Sequence, residues 1–195
     1  MPDHWLLIKE FCRVFNPCNF NRIKLFVMLI IVSGLPGSGK SFFASRLSKK
    51  INGIYISSDL TRKMMDTRGQ YAFEDKINVY EEMARLAGDP LRQGETVVID
   101  GTFYRKEMRN IFFTLATLLH QKVAYFEIVA DEDTIRERLS HPRLDSEADF
   151  SVYKQIKPQY EAFDEDHLIL ESTKNDVDGM LTKAMDYIQK VNEGA

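Results

Sequence analysis

The stretch that decides the fold is Val27-Met-Leu-Ile-Ile-Val-Ser-Gly-Leu-Pro-Gly-Ser-Gly-Lys-Ser41. Its first part, Val27–Val32, is continuously apolar, which predicts a strand buried on both faces of a parallel sheet. Its second part, residues 34–41, matches the pattern G-x-x-x-x-G-K-[ST] at every fixed position. A helix is predicted next, because apolar residues recur on one face at Phe43, Ala44, Leu47 and Ile51. This order of strand, loop and helix is the context in which the pattern binds phosphate.

The residue types of this loop explain its chemistry. Glycine permits backbone conformations that are closed to other residues, so that successive N–H groups converge on a β-phosphate at the start of the helix. Lys40 is expected to contact the β and γ oxygens as a catalytic cation, and Ser41 to ligate Mg²⁺. The expected bound species are therefore ATP and Mg²⁺. The predicted nucleotide-binding residues are Gly34, Gly37, Ser38, Gly39, Lys40, Ser41 and Phe42.

The composition is that of one ordinary globular domain, with 195 residues, 44% of them hydrophobic and 28% charged. The net charge of −3 provides no basic field, so a nucleic-acid partner is possible but not favoured. The apolar run Leu25–Val32 resembles a signal-peptide core, but it is too short to cross a bilayer and continues into the phosphate loop. We therefore expect a cytoplasmic protein with no membrane segment.

Strand and helix signals alternate along the rest of the chain, which is typical of a doubly wound α/β fold. We predict a poorly structured N-terminal extension over residues 1–27 and one P-loop domain over residues 28–195. Short helices are expected at Leu60–Asp66 and from Asp131, and a longer one from Glu74 that restarts or kinks at Asp89-Pro90. A further helix is expected over Phe150–Phe163, and a last one that Asn175 caps. The remaining predicted strands are Ile54–Ser57, Thr96–Ile99, Val123–Val129 and Leu168–Leu170.

Acidic residues follow two predicted strands, at Asp59 and Asp100. Open α/β sheets place their sites at this edge. Transfer of a phosphoryl group to a hydroxyl needs a group that orients the hydroxyl and accepts its proton, and Asp59 is our candidate. Arg62, one helical turn further on, is expected to bind a phosphate or carboxylate of the acceptor. The alternative for Asp59 is a plain helix N-cap.

Asp100 ends an apolar strand and precedes Gly101, which leaves space beside it. It suits a carboxylate that holds a Mg²⁺ water or contacts the acceptor, and a helix cap is again the alternative. Arg105 and Arg109 belong to the next predicted helix. They either face the acceptor or are ordinary solvated charges.

The charged segment Asp131–Asp149 contains Arg136, Arg138 and Arg143. Phosphoryl-transfer enzymes bring arginine onto the negative charge of the transferring group while they exclude water, so the segment suits a mobile basic lid. We select Arg136 and Arg143 as the catalytic arginines. The alternative is a solvated helix–loop–helix whose arginines pair with its own acidic residues.

Taken together, the strings SGLPGSGKS, ISSDLTRK and VVIDGTF resemble small P-loop kinases. The nearest of these are predicted kinases grouped with the kinase half of polynucleotide 5′-hydroxyl kinases, and zeta-toxin-like and chloramphenicol kinases are more distant. The resemblance implies a three-layer P-loop NTPase sandwich with a five-stranded parallel sheet in the order 2-3-1-4-5, helices on both faces and a small helical lid. It also implies that Asp59 is the general base, that Arg62 contacts an acceptor phosphate, and that Asp100 and Thr102 belong to the acceptor site.

The function that we expect is transfer of the ATP γ-phosphoryl group to a hydroxyl of a small molecule or of a nucleic-acid 5′ end. The alternative is a P-loop module that binds or hydrolyses ATP and acts through a protein partner. Such modules often carry adjacent acidic residues after the apolar strand, whereas Gly101 follows Asp100 here.

Overall fold

Five parallel strands form the centre of the protein in a computed structural model that describes residues 27–67, 69, 72–141, 148–173 and 176–194. The sheet order is β2-β3-β1-β4-β5, and it confirms the order predicted from sequence. The phosphate-loop strand β1 therefore lies in the middle of the sheet, between β3 and β4. The strands are β1 (Met28–Ser33), β2 (Ile54–Ser57), β3 (Val97–Asp100), β4 (Lys122–Val129) and β5 (Leu168–Glu171).

Helices cover both faces of the sheet, as the unbroken apolar runs of its strands require. The helices are α1 (Lys40–Ile51), α2 (Ser58–Met64), α3 (Phe73–Arg92), α4 (Lys106–Leu118), α5 (Glu132–Leu139), α6 (Phe150–Ile156) and α7 (Val177–Glu193). One face of the sheet packs on α3 and α4 around residues such as Ile31 and Phe112. The other face packs on α1 and α7 around residues such as Val32 and Ile188.

A third, smaller apolar cluster joins α5 and α6 and forms the base of the predicted lid. Ile135, Leu139 and Tyr153 are its buried members, and Leu35 of the phosphate loop packs against them. The cluster thus connects the lid helices to the loop between β1 and α1. No helix within the described ranges is long and apolar enough to cross a bilayer.

Two helix boundaries differ from those predicted, both at prolines. Helix α3 continues past Asp89 and Pro90 to Arg92 as one element. Pro90 lies in its last turn, where a missing N–H removes a single intrahelical bond. Helix α6 ends at Ile156 instead of Phe163, because Pro158 cannot donate and restricts the residue before it. A short 3₁₀ turn, Lys157–Gln159, follows it.

The alternative role of Asp59 as a helix cap is not observed. Helix α2 begins at Ser58, two residues before the predicted start, and its cap is Ser57, whose hydroxyl accepts a hydrogen bond from the Leu60 N–H at 3.2 Å. Asp59 therefore lies in the first turn. The predicted cap Asn175 and the predicted extension, except Val27, lie outside the described residues, and the residue that precedes α7 is Asp176.

Arg109 is a fully buried cation, so neither role considered for it from sequence is observed. Its guanidinium donates to the carbonyl oxygens of Phe103, Glu161 and Ala162 at 3.0, 3.2 and 3.0 Å. It also stacks on the Phe163 ring at 4.5 Å from the centroid. Arg109 thereby joins α4 to the segment that precedes this helix and to the segment that follows the 3₁₀ turn Lys157–Gln159.

We expect Arg109→Met to lower the free energy of unfolding by about 3 kcal/mol, because buried carbonyl groups lose their donors. The matched control is Arg105→Met, one turn earlier, where a half-exposed side chain meets Glu161 at 3.5 Å. The control should lose less than about 1 kcal/mol. Urea unfolding followed by circular dichroism measures both, and equal losses would contradict the special role of Arg109.

Candidate active site

The phosphate loop ends in a left-handed residue that starts α1. Gly39 has φ +95°, and a Cβ there would lie 2.6 Å from the Ser172 hydroxyl, so only glycine fits this position. The helix begins at Lys40, and its first-turn N–H groups have no intrahelical acceptor. The first turn carries no acidic residue, so the positive end of the helix stays uncompensated. This is an anion-binding end of the kind expected from the motif.

Phe42, the last of the predicted nucleotide-binding residues, has its backbone N–H in this first turn. Its side chain is 54% exposed and stacks with the Arg46 guanidinium at 3.4 Å from the ring centroid. The backbone of Phe42 therefore suits phosphate binding, while its side chain lies on the outer surface of the helix.

Asp100 is the buried carboxylate of the site, with a relative exposure of 2%. Its Oδ2 accepts a hydrogen bond from the Tyr55 hydroxyl at 2.6 Å. Its Oδ1 is buried and has no hydrogen-bond partner among the residues that the structure describes. Burial raises the pKa of Asp100, and the nearby Lys40 ammonium and the Tyr55 and Ser41 hydroxyls oppose this effect. Asp59 also lies close enough to raise the pKa of Asp100 further.

The Asp100 carboxylate and the Ser41 hydroxyl near it suit the binding of a magnesium ion. A buried carboxylate oxygen without a partner is costly unless something binds it, and the Asp100 carboxylate lies near the Ser41 hydroxyl. Mg²⁺ in nucleotide sites takes one or two carboxylates together with phosphate oxygens and water. The described part of the chain contains no cluster of three or more His, Cys, Asp or Glu that could hold a metal ion without such help.

The loop after β3 holds an unusual conformation next to Asp100. Phe103 has φ +49°, which is strained for an aromatic residue, and its side chain is fully buried. The Tyr80 hydroxyl accepts the N–H groups of Thr102 and Phe103 at 3.1 and 3.2 Å. The Ser33 hydroxyl donates to the Thr102 carbonyl at 3.0 Å. The packed α3 helix therefore fixes the predicted acceptor loop.

The space that Gly101 was expected to leave beside Asp100 is taken by Tyr80. A Cβ at Gly101 would lie 2.9 Å from the Tyr80 hydroxyl oxygen. Arg62 of α2 is 7% exposed, and its charge acts on the same hydroxyl to lower the pKa of Tyr80, against the stronger effect of burial. Arg62 and Asp100 thus both lie near the hydroxyl of one tyrosine.

Of the arginines in the charged segment, Arg138 contacts the phosphate loop. Its guanidinium donates to the carbonyl oxygens of Gly37 and Ser38 at 3.3 and 3.0 Å, and to that of Ser172 at 3.1 Å. Arg136 lies over the Phe150 ring at 4.2 Å and meets Glu132 at 3.4 Å. Arg143 lies outside the described residues. The catalytic roles of Arg136 and Arg143 stay predictions.

The contact from Arg138 acts on the peptide planes of the loop. In a trans peptide the carbonyl and the following N–H point in opposite directions. Holding the Ser38 carbonyl from outside therefore directs the Gly39 N–H to the inside, where phosphate is expected. Sequence reasoning did not assign this role to Arg138, and it did not assign any role to Tyr55 or Tyr80. The one available signal was the tyrosine hydroxyl between two isoleucines of β2, since a buried tyrosine hydroxyl usually has a hydrogen-bond partner.

We expect Arg138→Met to weaken ATP binding by about tenfold, because two loop carbonyls lose a charged donor. Arg136→Met is the matched comparison on the same helix. It should change the affinity by less than about twofold if its side chain stays on Phe150. Calorimetric titration with ATP and Mg²⁺ measures both. A larger loss in Arg136→Met would favour the prediction made from sequence and contradict the role given to Arg138.

Asp100 should make the nucleotide-free protein less stable as pH rises. A raised pKa means that the folded state holds the proton more tightly than the unfolded state. The free energy of unfolding therefore falls between the unfolded-state and folded-state pKa values of this group. Asp100→Asn should remove this pH-dependent loss of unfolding free energy and raise the Tm at neutral pH by about 3 °C. Thermal unfolding without nucleotide across this pH range tests it, and a lower Tm in the variant would contradict the burial cost.

Several solved structures of similar fold are kinases. A gluconokinase from Sinorhizobium meliloti superposes with a TM-score of 0.64 at 19% identity, over 87% of this chain and 95% of that one. The APS kinase CysC of Mycobacterium tuberculosis, in complex with AMPPNP and APS, gives 0.67 at 14%, over 84% and 98%. Kti12 of Chaetomium thermophilum with ADP-AlF3 gives 0.56 at 18%, over 82% and 98%. These likenesses confirm the fold.

Sequence comparison finds relatives of unassigned activity. Uncharacterized protein Rv2004c of Mycobacterium tuberculosis is 30% identical over 125 residues, which cover 58% of this chain and 25% of the relative. Uncharacterized protein Mb2027c of Mycobacterium bovis matches to the same extent. The chain therefore spans about a quarter of the length of these relatives. The likeness to polynucleotide kinases in particular stays a prediction. The profile described as "AAA domain" matches residues 29–163, so the chain belongs to this P-loop AAA domain family.

Proposed function

We propose that the protein is an ATP-dependent kinase that transfers the γ-phosphoryl group to a hydroxyl of an acceptor. The observation that supports this best is the grouping of Asp59 and Asp100 beside Lys40 and Ser41 of the phosphate loop. A nucleotide-binding site needs only one of these carboxylates, for the metal. The second, in the first turn of α2 and not used as its cap, is free to serve an acceptor.

The two carboxylates have different surroundings, which suit different roles. Asp100 is buried and bonded to Tyr55, whereas Asp59 is only partly buried and accessible to an incoming hydroxyl. In the proposed reaction the acceptor oxygen attacks the γ-phosphorus, and the bond from that phosphorus to the β–γ bridging oxygen breaks. The hydroxyl proton passes to the Asp59 carboxylate, and ADP leaves.

The phosphate loop and its partners hold the nucleotide for this step. Amide groups from Gly39 to Phe42 point to the β-phosphate from the start of α1, and Lys40 neutralises charge on the β and γ oxygens. Mg²⁺, held by Ser41 and Asp100, would supply further charge neutralisation. Arg138 keeps the loop peptide planes in place from outside.

The acceptor is proposed to carry an anionic group near its hydroxyl. Arg62, buried beside Tyr80 on the acceptor side, suits a phosphate or carboxylate. The net charge of −3 favours a small molecule over a long nucleic acid, and a nucleic-acid 5′ end is the second possibility. A gluconokinase and an APS kinase among the proteins of similar fold support the small-molecule class.

Incubation with γ-labelled ATP, Mg²⁺ and acceptor panels tests the proposal. One panel holds small hydroxylated metabolites with and without an anionic group, and the other holds oligonucleotides with 5′-hydroxyl or 5′-phosphate ends. Labelled acceptor is the expected product. Acceptor-independent hydrolysis that a protein partner stimulates would instead favour the regulatory P-loop module and contradict the kinase.

We expect Asp59→Asn to lower kcat for transfer by about 10²–10⁴-fold, because the proton acceptor is lost. The affinity of this variant for ATP should stay within about twofold of that of the unsubstituted protein, since Asp59 is not proposed to contact the nucleotide. Asp186→Asn, on the exposed face of α7, is the matched control. Full transfer by Asp59→Asn would show that another group accepts the proton.

A further inference from the structure

Tyr55 is a half-buried tyrosine inside β2 whose hydroxyl points at the site. The register pairs Tyr55 with Val98 and Ser57 with Asp100, so Tyr55 and Asp100 are diagonal neighbours on one face of the sheet. An aromatic side chain is long enough to reach such a neighbour. Its ring packs in the apolar core between the sheet, α1 and α7, and its hydroxyl is left to bond Asp100 at 2.6 Å.

This hydrogen bond distinguishes the two oxygens of the carboxylate. Oδ2 is engaged by Tyr55, and Oδ1 is buried without a protein partner within the described ranges. Without the hydroxyl, the plane of the Asp100 carboxylate would lose one restraint on its orientation beside Lys40 and Ser41. A charged acceptor holds a hydroxyl donor strongly, so the tyrosine selects one rotamer.

The tyrosine hydroxyl also lies beside the start of α2. The Ser57 hydroxyl is close enough to lower the pKa of Tyr55, against the larger effect of burial, and the same serine accepts the Leu60 N–H at 3.2 Å. Asp59 stands in the turn that this serine caps. Tyr55 therefore lies between the carboxylate of the nucleotide side and the helix that carries the carboxylate of the acceptor side.

We infer that Tyr55 is a positioning residue that orients Asp100 so that Oδ1 faces the metal of a bound Mg²⁺–nucleotide complex. The inference rests on the metal role given to Asp100 under the proposed function. It does not depend on the acceptor or on transfer. Partners of this kind, which orient a metal ligand without touching the metal, change metal affinity by about 10–100-fold when they are removed.

Tyr55→Phe tests this directly, because it keeps the ring and removes the hydroxyl. The readout is the Mg²⁺ concentration that gives half-maximal binding of a fluorescent ATP analogue, together with binding of the analogue in EDTA. We expect the required Mg²⁺ concentration to rise about tenfold and the metal-free affinity to change by less than about twofold. Tyr187→Phe is the matched control, since this tyrosine packs on the same core and donates to the Asp166 carbonyl at 3.2 Å.

A double-mutant cycle with Asp100→Asn separates positioning from packing. If Tyr55 acts through Asp100, Tyr55→Phe should have little further effect on the Mg²⁺ requirement in the Asp100→Asn background. Additive effects, or an unchanged Mg²⁺ requirement in the single variant, would overturn the inference. Loss of the folded state in Tyr55→Phe, measured by thermal unfolding, would also overturn it, because the hydroxyl would then be a structural anchor. Absence of phosphoryl transfer to every acceptor would contradict the kinase and leave this test intact.

Discussion

The alignment of three strand ends is the constraint on which the rest of the structure depends. Asp100 of β3 stands in register with Val32 of β1 on one side and with Ser57 of β2 on the other. Chain continuations from these ends form the phosphate loop, the acceptor loop and α2. Because the strands are parallel, all of these segments begin at one edge of the sheet, which brings the amide groups of the phosphate loop close to the carboxylates.

Arg109 and Asp100 are two buried ionic groups, and their polar atoms have different hydrogen-bond partners. Arg109 is satisfied by three carbonyl groups and stabilises the segment around the strained Phe103. Asp100 is satisfied on one oxygen only. Arg109 Nε and Asp100 Oδ1 are both buried without a hydrogen-bond partner among the described residues. The surroundings distinguish the two groups, because Asp100 lies near the Lys40 ammonium and the Ser41 hydroxyl, whereas Arg109 lies against carbonyl groups and the Phe163 ring.

The strand predictions succeeded because parallel strands buried on both faces are continuous apolar runs, and their order followed from the family resemblance. Val27–Val32 and Leu168–Leu170 were each found within one residue of the observed bounds. Helix ends were less accurate. Pro90 was given too much weight near the end of α3, and Pro158 too little in α6. The effect of a proline on a helix depends on how many intrahelical hydrogen bonds follow it, and this number cannot be read from the residues around the proline.

The sequence of residues 34–41 was enough to predict the phosphate loop, because its glycines permit the backbone conformations that the loop needs. Asp59 and Asp100 were proposed as site residues from the sequence, since strand ends are visible as the point where an apolar run stops. The long-range contacts of Asp100 and of the phosphate loop were not predicted. Tyr55 and Arg138 reach Asp100 and Ser38 from positions 45 and 100 residues away along the chain. Those contacts arise from strand register and helix docking, which are set by packing of the whole chain and leave no trace in neighbouring residues.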